Sequence, residues 1–521
     1  MSTPAVLVVG AGPTGLTLTH ELARRGVSVR LVDAADGPAV TSRALATHAR
    51  TLEVFDQMGV AERLLPRGCR VEHFTLHQRG RELIRFDTNY DRLPTRFPFT
   101  LMVDQAVTEQ VLRERVAELG VEVEWGVELT GLTRREDRVD VRLRAGGVES
   151  ELSVPWLVGT DGGHSTVRKE LGLKLHGDQS QTWLIADAEV ECSLPQNSIH
   201  WLDTGAGTVM LVPFPEPGKW RLLDTADIGG DADRVVDRFT GKISRAIGER
   251  VVIRPPSWVS VFTIQQRMIE AMGRGRCLLA GDAAHVHSPA SGQGMNTGIQ
   301  DAYNLGWKLA AVVTGEAGPE LLRSYDDERM PVGRKLLGST RTATALVALR
   351  SAAMSTLMPV GLAALRRLTP AKRRLEHKIM SGMSGLSLSY PDSVLSGPDG
   401  CTRAGWAPSD CADPAALASL LRTPGWTLWT VPGDSADWPA AVAAIEGAVP
   451  GPLSPISLGS GGEVPDPDGA LAARLGLGPG SWLVVRPDGY RWASGTGPEA
   501  LRAAAARWPF PAADAIVTES G

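Results

Sequence analysis

The chain has 521 residues, 43% hydrophobic and 22% charged, with a formal net charge of −5. At roughly 150 residues per domain this is too long for one core and predicts about three domains, and the balance excludes a disordered chain or a coiled coil. The small negative charge, spread without blocks of one sign, leaves no electrostatic footprint for nucleic acid.

In chain order, Ala5 to Val9 is an unbroken aliphatic run and predicts a strand buried on both faces of a parallel sheet. Gly10-Ala-Gly12-Pro13-Thr14-Gly15 comes next, with Leu16 to Arg25 as a helix and Val27 to Val32 as a second strand closed by Asp33. Gly10 allows the tight turn, Gly12 lets backbone approach a pyrophosphate, and Gly15 lets the helix pack closely on the sheet. The helix's amino end favours a phosphate anion, and an acid 18 residues past Gly15 suits a ribose diol. These features predict a dinucleotide site with Asp33 as the ribose ligand, but they do not distinguish FAD from a nicotinamide.

Two later segments repeat the design. Trp156 to Thr160 is a short strand entering Asp161-Gly-Gly-His-Ser-Thr-Val-Arg168. Leu278 to Ala280 enters Gly281-Asp282-Ala-Ala-His285, then Ser288-Pro289-Ala-Ser-Gly292-Gln-Gly294-Met295-Asn296-Thr-Gly298, where a helix running to Val313 is expected. At these residues the chain resembles the class A flavoprotein aromatic hydroxylases, typified by para-hydroxybenzoate hydroxylase and phenol hydroxylase. The resemblance spans about the first 390 residues, with all three motifs in family order.

The resemblance implies an α/β fold: a Rossmann-like FAD-binding domain of residues 1–72, 100–178 and 273–389, an interleaved β-sheet substrate domain of residues 73–99 and 179–272, and a thioredoxin-like unit of residues 390–521. It implies that the first motif, Pro13 and Thr14 included, and Asp282, Gly292 and Gly294 hold FAD, that Asp161 serves FAD and the nicotinamide, and that Arg43 contacts FAD and assists the nicotinamide. Gln105 would bond the ribityl chain, Leu129 would offer backbone to adenine, Met295 and Asn296 would present N–H groups to the flavin ring, and Pro289 would lie over its face. Arg43 and Pro289 are the only catalytic candidates; the base that would ionise a phenol is not identified by the sequence.

The implied reaction takes NADH or NADPH and dioxygen through a flavin hydroperoxide to an aromatic substrate, with the flavin carrying the hard chemistry and the protein excluding water. The family branch points to a polycyclic aromatic polyketide of antibiotic biosynthesis. A same-fold epoxidase or Baeyer–Villiger oxygenase, an FAD reductase that never activates oxygen, and a non-catalytic FAD-binding scaffold are the alternatives. Strand-like segments at Val71 to His77, Thr182 to Val190, Gly207 to Phe214, Trp220 to Leu223 and Trp258 to Ile264 are expected to wall the substrate pocket.

Helices are expected over Glu320 to Arg329 and Val332 to Lys378, broken at Pro359 and Pro370. Tyr390 to Gly405 reads as a Ser/Gly/Pro-rich linker or long surface connection, and Val485-Arg-Pro-Asp-Gly-Tyr490 as a hairpin turn in a small α/β unit that lacks a redox cysteine pair, which suggests a structural or homodimer role. The cysteines, Cys69, Cys192, Cys277, Cys401 and Cys411, are scattered, and His285 and His287 lack further ligands at metal spacing, so no metal is expected. With no basic leader and no apolar run of roughly 18 residues, a cytoplasmic, membrane-free protein is expected.

Overall fold

The computed structural model describes residues 3–40, 44–88, 93–205, 207–225, 234–287, 292–347, 361–362, 365–397, 401–431, 433 and 437–510. The first strand, Val6–Val9, is fully buried because it has neighbours on both sides. Val29–Asp33 and Trp156–Gly159 flank it in parallel, with Val9 opposite Val32 and Gly159. Cys277–Leu279 adds beside Trp156–Gly159, also in parallel. The three motif-bearing strands therefore end side by side at their carboxyl ends, where open α/β sheets bind ligands.

Two helices pack on this sheet. Pro13–Ala23 starts with proline, whose missing N–H is harmless at a helix start. Gly294–Val313 lies against it and is buried over most of its length. Gly306 allows that approach: a Cβ there would lie 2.5 Å from Glu21 Cβ.

The second unit is a nine-stranded, mostly antiparallel sheet. Its long strands His176–Glu191 and Trp258–Met268 rise from the cofactor sheet and return to it. One face is covered by the Val235–Ile247 helix, whose Val235, Phe239 and Ile243 recur at helical spacing and enter a core with Trp220 and Leu222. The other face turns toward the cofactor unit and carries Trp183, Ile185, Met210, Phe214 and Leu223.

The carboxy-terminal unit is a five-stranded mixed sheet built on Trp426–Thr430 and Ser481–Val485. Its tryptophan cluster continues into the cofactor unit, with Trp307 edge-on to Trp426 at 5.7 Å.

Two expectations are corrected. The helix expected to stop at Arg329 instead runs Arg323–Val347 through Pro331. Burial of Arg329 and Met330 holds that segment against the sheet, and tertiary packing outweighs the lost backbone hydrogen bond. The Tyr390 to Gly405 passage is no loose linker: Tyr390, Leu395 and Cys401 are buried, and Arg329 Nη1 donates to the Tyr390 hydroxyl at 2.9 Å. Its composition is that of a linker, but its few large side chains fill the seam between units. Pro359 lies outside the described residues.

Candidate functional site

The first glycine turn is fixed by contact with the second motif. Gly10 has φ +106°, and a Cβ there would lie 2.5 Å from Thr160 O, so only glycine satisfies both backbone and neighbour. A Cβ on Gly15 would fall 1.9 Å from Gly10 O, which is the close helix–sheet approach expected of it. Thr160 Oγ1 donates to Val9 O or Gly10 O, at 2.9 and 2.8 Å, and joins the two motifs. Thr14 reaches the third motif: Cβ atoms added to Gly281 and Gly298 would meet its hydroxyl at 2.6 and 2.4 Å.

Gly12 behaves differently. It caps the Pro13–Ala23 helix with extended backbone, and a Cβ there would meet nothing within 4 Å. Gly294, at the start of the Gly294–Val313 helix, also faces open space. Neither helix has a side-chain cap or an acid in its first turn. The Gln105–Glu118 and Thr166–Glu170 helices, by contrast, are capped by Asp104 and Ser165. Two uncapped, positive helix ends beside bare backbone form a cradle of the kind that an anionic dinucleotide and a flavin carbonyl oxygen fill. The residues present fit FAD.

The other expected residues are placed as follows from their hydrogen bonds and burial. Asp33 accepts from Ala11 N at 2.7 Å and from Ala35 N at 2.9 Å, so its carboxylate is held at the glycine turn with lone pairs to spare for a diol. Gln105 accepts from Ala44 N at 3.3 Å and donates to Glu109 at 2.8 Å, which places it under the segment after Arg43. Asn296 is 3% exposed: its Nδ2 donates to Ala46 O and Gly292 O, and its Oδ1 accepts from His48 N. Those bonds occupy the side chain and leave the backbone of Met295 and Asn296 as the group at the helix end. The Leu129 side chain is core, so only its backbone is placed to serve a ligand. Asp282 is exposed on the third turn. Arg43 and Pro289 lie outside the described residues.

The Asp161 carboxylate is turned inward. It accepts from Ser165 Oγ at 2.5 Å, Thr166 N at 2.7 Å and Val167 N at 3.2 Å, and so anchors the start of its helix. Arg168 then donates to Gly163 O and Ala283 O and ties the second turn to the third.

Sequence reasoning missed the charges beneath the third motif. Asp301 is fully buried; its Oδ2 accepts from Gly281 N at 3.1 Å and His285 Nε2 at 2.6 Å, and its Oδ1 from Arg329 Nε at 2.7 Å. Burial alone would raise its pKa, but His285 and Arg329 bring it down to about 2. His287 stacks on His285 with ring centroids 4.8 Å apart, and burial, with that neighbour, pushes it down to about 3. Among the described residues, no group of three or more His, Cys, Asp or Glu is placed to hold a metal.

The aromatic face of the large sheet meets this cradle. Trp183 is fully buried and edge-on to Phe262 at 6.3 Å, and the same cluster includes Leu45, Met102, Phe74, Trp201 and Trp258. Ala46 closes the join: a Cβ on Gly292 would lie 3.0 Å from its Cβ.

Residues 3–340 match the family model described as an FAD binding domain. The chain belongs to this family of FAD-dependent flavoprotein monooxygenases. Within it, the chain is 54% identical over 505 residues to 6-methylpretetramide 4-monooxygenase of Streptomyces rimosus, covering 94% of this chain and 91% of that one. The solved OxyS anhydrotetracycline hydroxylase from Streptomyces rimosus shares 30% identity, with a TM-score of 0.75 over 97% of this chain and 99% of that one. The Diels-Alderase PyrE3 of pyrroindomycin biosynthesis shares 29% identity and a TM-score of 0.71, covering 96% and 98%. With 54% identity to a monooxygenase over nearly the whole of both chains, this chain uses FAD to oxygenate an aromatic compound. Among the described residues, no helix is long and apolar enough to cross a membrane.

Proposed function

We propose that this flavoprotein hydroxylates a polycyclic phenolic polyketide, using dioxygen and NADH or NADPH. The observation that carries the proposal is the junction at Ala46, where a sheet face of Trp183, Phe262, Phe74 and Trp201 meets the Gly292–Asn296 turn. That face is broad, apolar and aromatic, as a fused-ring substrate requires, and it excludes water from the reacting centre. The 54% identity to a pretetramide monooxygenase supports the same substrate class.

In this reading the Gly12 backbone at the Pro13–Ala23 helix end would hold the pyrophosphate, Asp33 the adenosine ribose, Gln105 the ribityl chain, and the amides of Met295 and Asn296 the flavin carbonyl. Asp161, Asp282 and Leu129 complete the site, Asp161 by holding its turn. FAD supplies the electron and oxygen chemistry when bound; the chain binds, orients and dries the site. A shared fold does not fix the reaction, as the Diels-Alderase relative shows, so the product decides. The test measures NAD(P)H oxidation and oxygen uptake with fused-ring phenols, together with product mass. One added oxygen on a ring carbon supports the proposal; a product of unchanged mass, or a ring-expanded lactone, overturns it.

A further inference from the structure

The family match ends at residue 340, yet the carboxy-terminal unit is no appendage to the cofactor unit. The turn Arg486-Pro487-Asp488-Gly489 meets the cofactor unit, with Arg486 and Asp488 buried there. Arg486, with its side chain fully buried, is bidentate to Glu328 at 2.6 and 2.8 Å and to Asp488 at 3.0 and 2.6 Å. Asn304 Nδ2 donates to Glu328 at 2.7 Å and to Asp488 at 2.9 Å, and Lys308 Nζ donates to Glu328 and Asn304 at 2.8 and 2.9 Å. The Asp488 carbonyl accepts from Arg50 at 2.6 Å. Burial opposes the Glu328 charge, but Arg486 and Lys308 hold its carboxyl below the usual range.

Asn304 and Lys308 belong to the Gly294–Val313 helix, whose first turn is the proposed flavin contact. The helix is gripped at three levels: by Asn296 at its start, by Asp301 in its first half, and by the Arg486–Asp488 turn in its second half. From Gly294 to Lys308 is about 21 Å of rigid helix, so a shift at one grip displaces the other end. Arg486 and Lys308 face Glu328 and Asp488, two cations to two carboxylates, while Arg50 pairs with Glu53; losing one of the four leaves buried partners uncompensated, which makes the clamp close to all-or-none.

We infer that Arg486 and Asp488 are positioning residues for the flavin end of this helix, acting through Asn304, Lys308 and Glu328. The carboxy-terminal unit thereby sets the placement of the Met295 and Asn296 amides. The inference rests on the flavin placement proposed above, and the experiment separates the two.

The full-length protein is compared with Asp488→Asn, Arg486→Gln and Arg486→Lys by amide hydrogen exchange without FAD, FAD titration by flavin fluorescence, and visible circular dichroism of the bound flavin. The clamp predicts faster exchange in the 292–300 peptides of Asp488→Asn and Arg486→Gln, FAD binding weakened about 10-fold, and an altered flavin dichroism. Arg486→Lys restores part of each. If exchange rises only within residues 401–510, and FAD affinity and dichroism are unchanged, the turn merely staples the units together and the inference fails. If Arg486→Gln does not fold, the charge-neutral pair Arg486→Gln/Glu328→Gln gives the same readouts. If FAD protects no amide at 292–300 in the unmodified protein, the flavin placement fails, and the clamp is judged on the exchange without FAD.

Discussion

Gly12 and Gly10 are two residues apart in one turn, yet the structure gives them separable roles. Gly12→Ala adds a methyl group to open space on allowed backbone, so its effect on the FAD-free protein is at most about 1 kcal/mol, the scale of a weaker helix cap. That methyl occupies the place proposed for the pyrophosphate. FAD affinity should fall about 100-fold, equivalent to roughly 3 kcal/mol. Gly10→Ala forces an L side chain to φ +106° with its Cβ 2.5 Å from Thr160 O. Backbone strain of about 1–3 kcal/mol adds to an overpacking penalty of similar size, roughly 3–4 kcal/mol in all. Thermal unfolding of the FAD-free forms, with FAD titration of whichever variants fold, makes the comparison. Gly12→Ala should keep its melting temperature and lose FAD, whereas Gly10→Ala should lose several degrees before any ligand is added. Unchanged FAD affinity in Gly12→Ala would show that the pyrophosphate does not cross this turn.

Asp301 is held at about 2 against an ordinary 3.8, so its folded state binds fewer protons than the unfolded chain across that interval. The linked stability, about 2 kcal/mol, is present above roughly pH 4 and is lost as pH falls through about 2; Asp301→Asn should flatten that limb in denaturant titrations. His287 is pushed down to about 3 from 6.5, so it also stays proton-free when folded, and stability should rise with pH between those values. His287→Leu should reduce that slope in the same titrations. Lys308→Met leaves Glu328 short of one cation in a fully buried site and should destabilise the protein by about 3 kcal/mol, measured by chemical unfolding. Trp183→Ala should raise KM for a fused-ring phenol while FAD affinity stays constant; a fall in FAD binding of equal size would place Trp183 in the cofactor's support.

Much of the cofactor unit is legible in the sequence because its signals are local. A strand buried on both faces needs a continuous aliphatic run, and the turn after it needs glycine where φ is positive or the backbone approach is close, so Val6–Val9, Gly10 and Gly15 identify themselves. Five strand segments of the large sheet are visible as well, although the strands Arg81–Asp87 and Ser198–Asp203 and the Val235–Ile247 helix that covers the sheet are not among the expected elements. The part played by the Asp161 side chain is not legible: an acid after a strand reads alike whether its oxygens face a ligand or, as here, the next helix's amides.

The sequence by itself therefore determined the order of motifs, the class of fold and the identity of the bare backbone positions, all of which depend on the conformational limits of a few adjacent residues. Only the tertiary structure decided how those motifs are held. Asn296 bonds to Ala46 and His48, Asp301 collects Gly281, His285 and Arg329, and Arg486 reaches Glu328 from 158 positions away. Such partners are chosen by register and burial: a charge becomes an anchor once folding removes its water and leaves one arrangement that satisfies every donor. No local pattern encodes that choice, which is why Tyr390, Leu395 and Cys401, from a passage with a linker's composition, are buried at the seam between units.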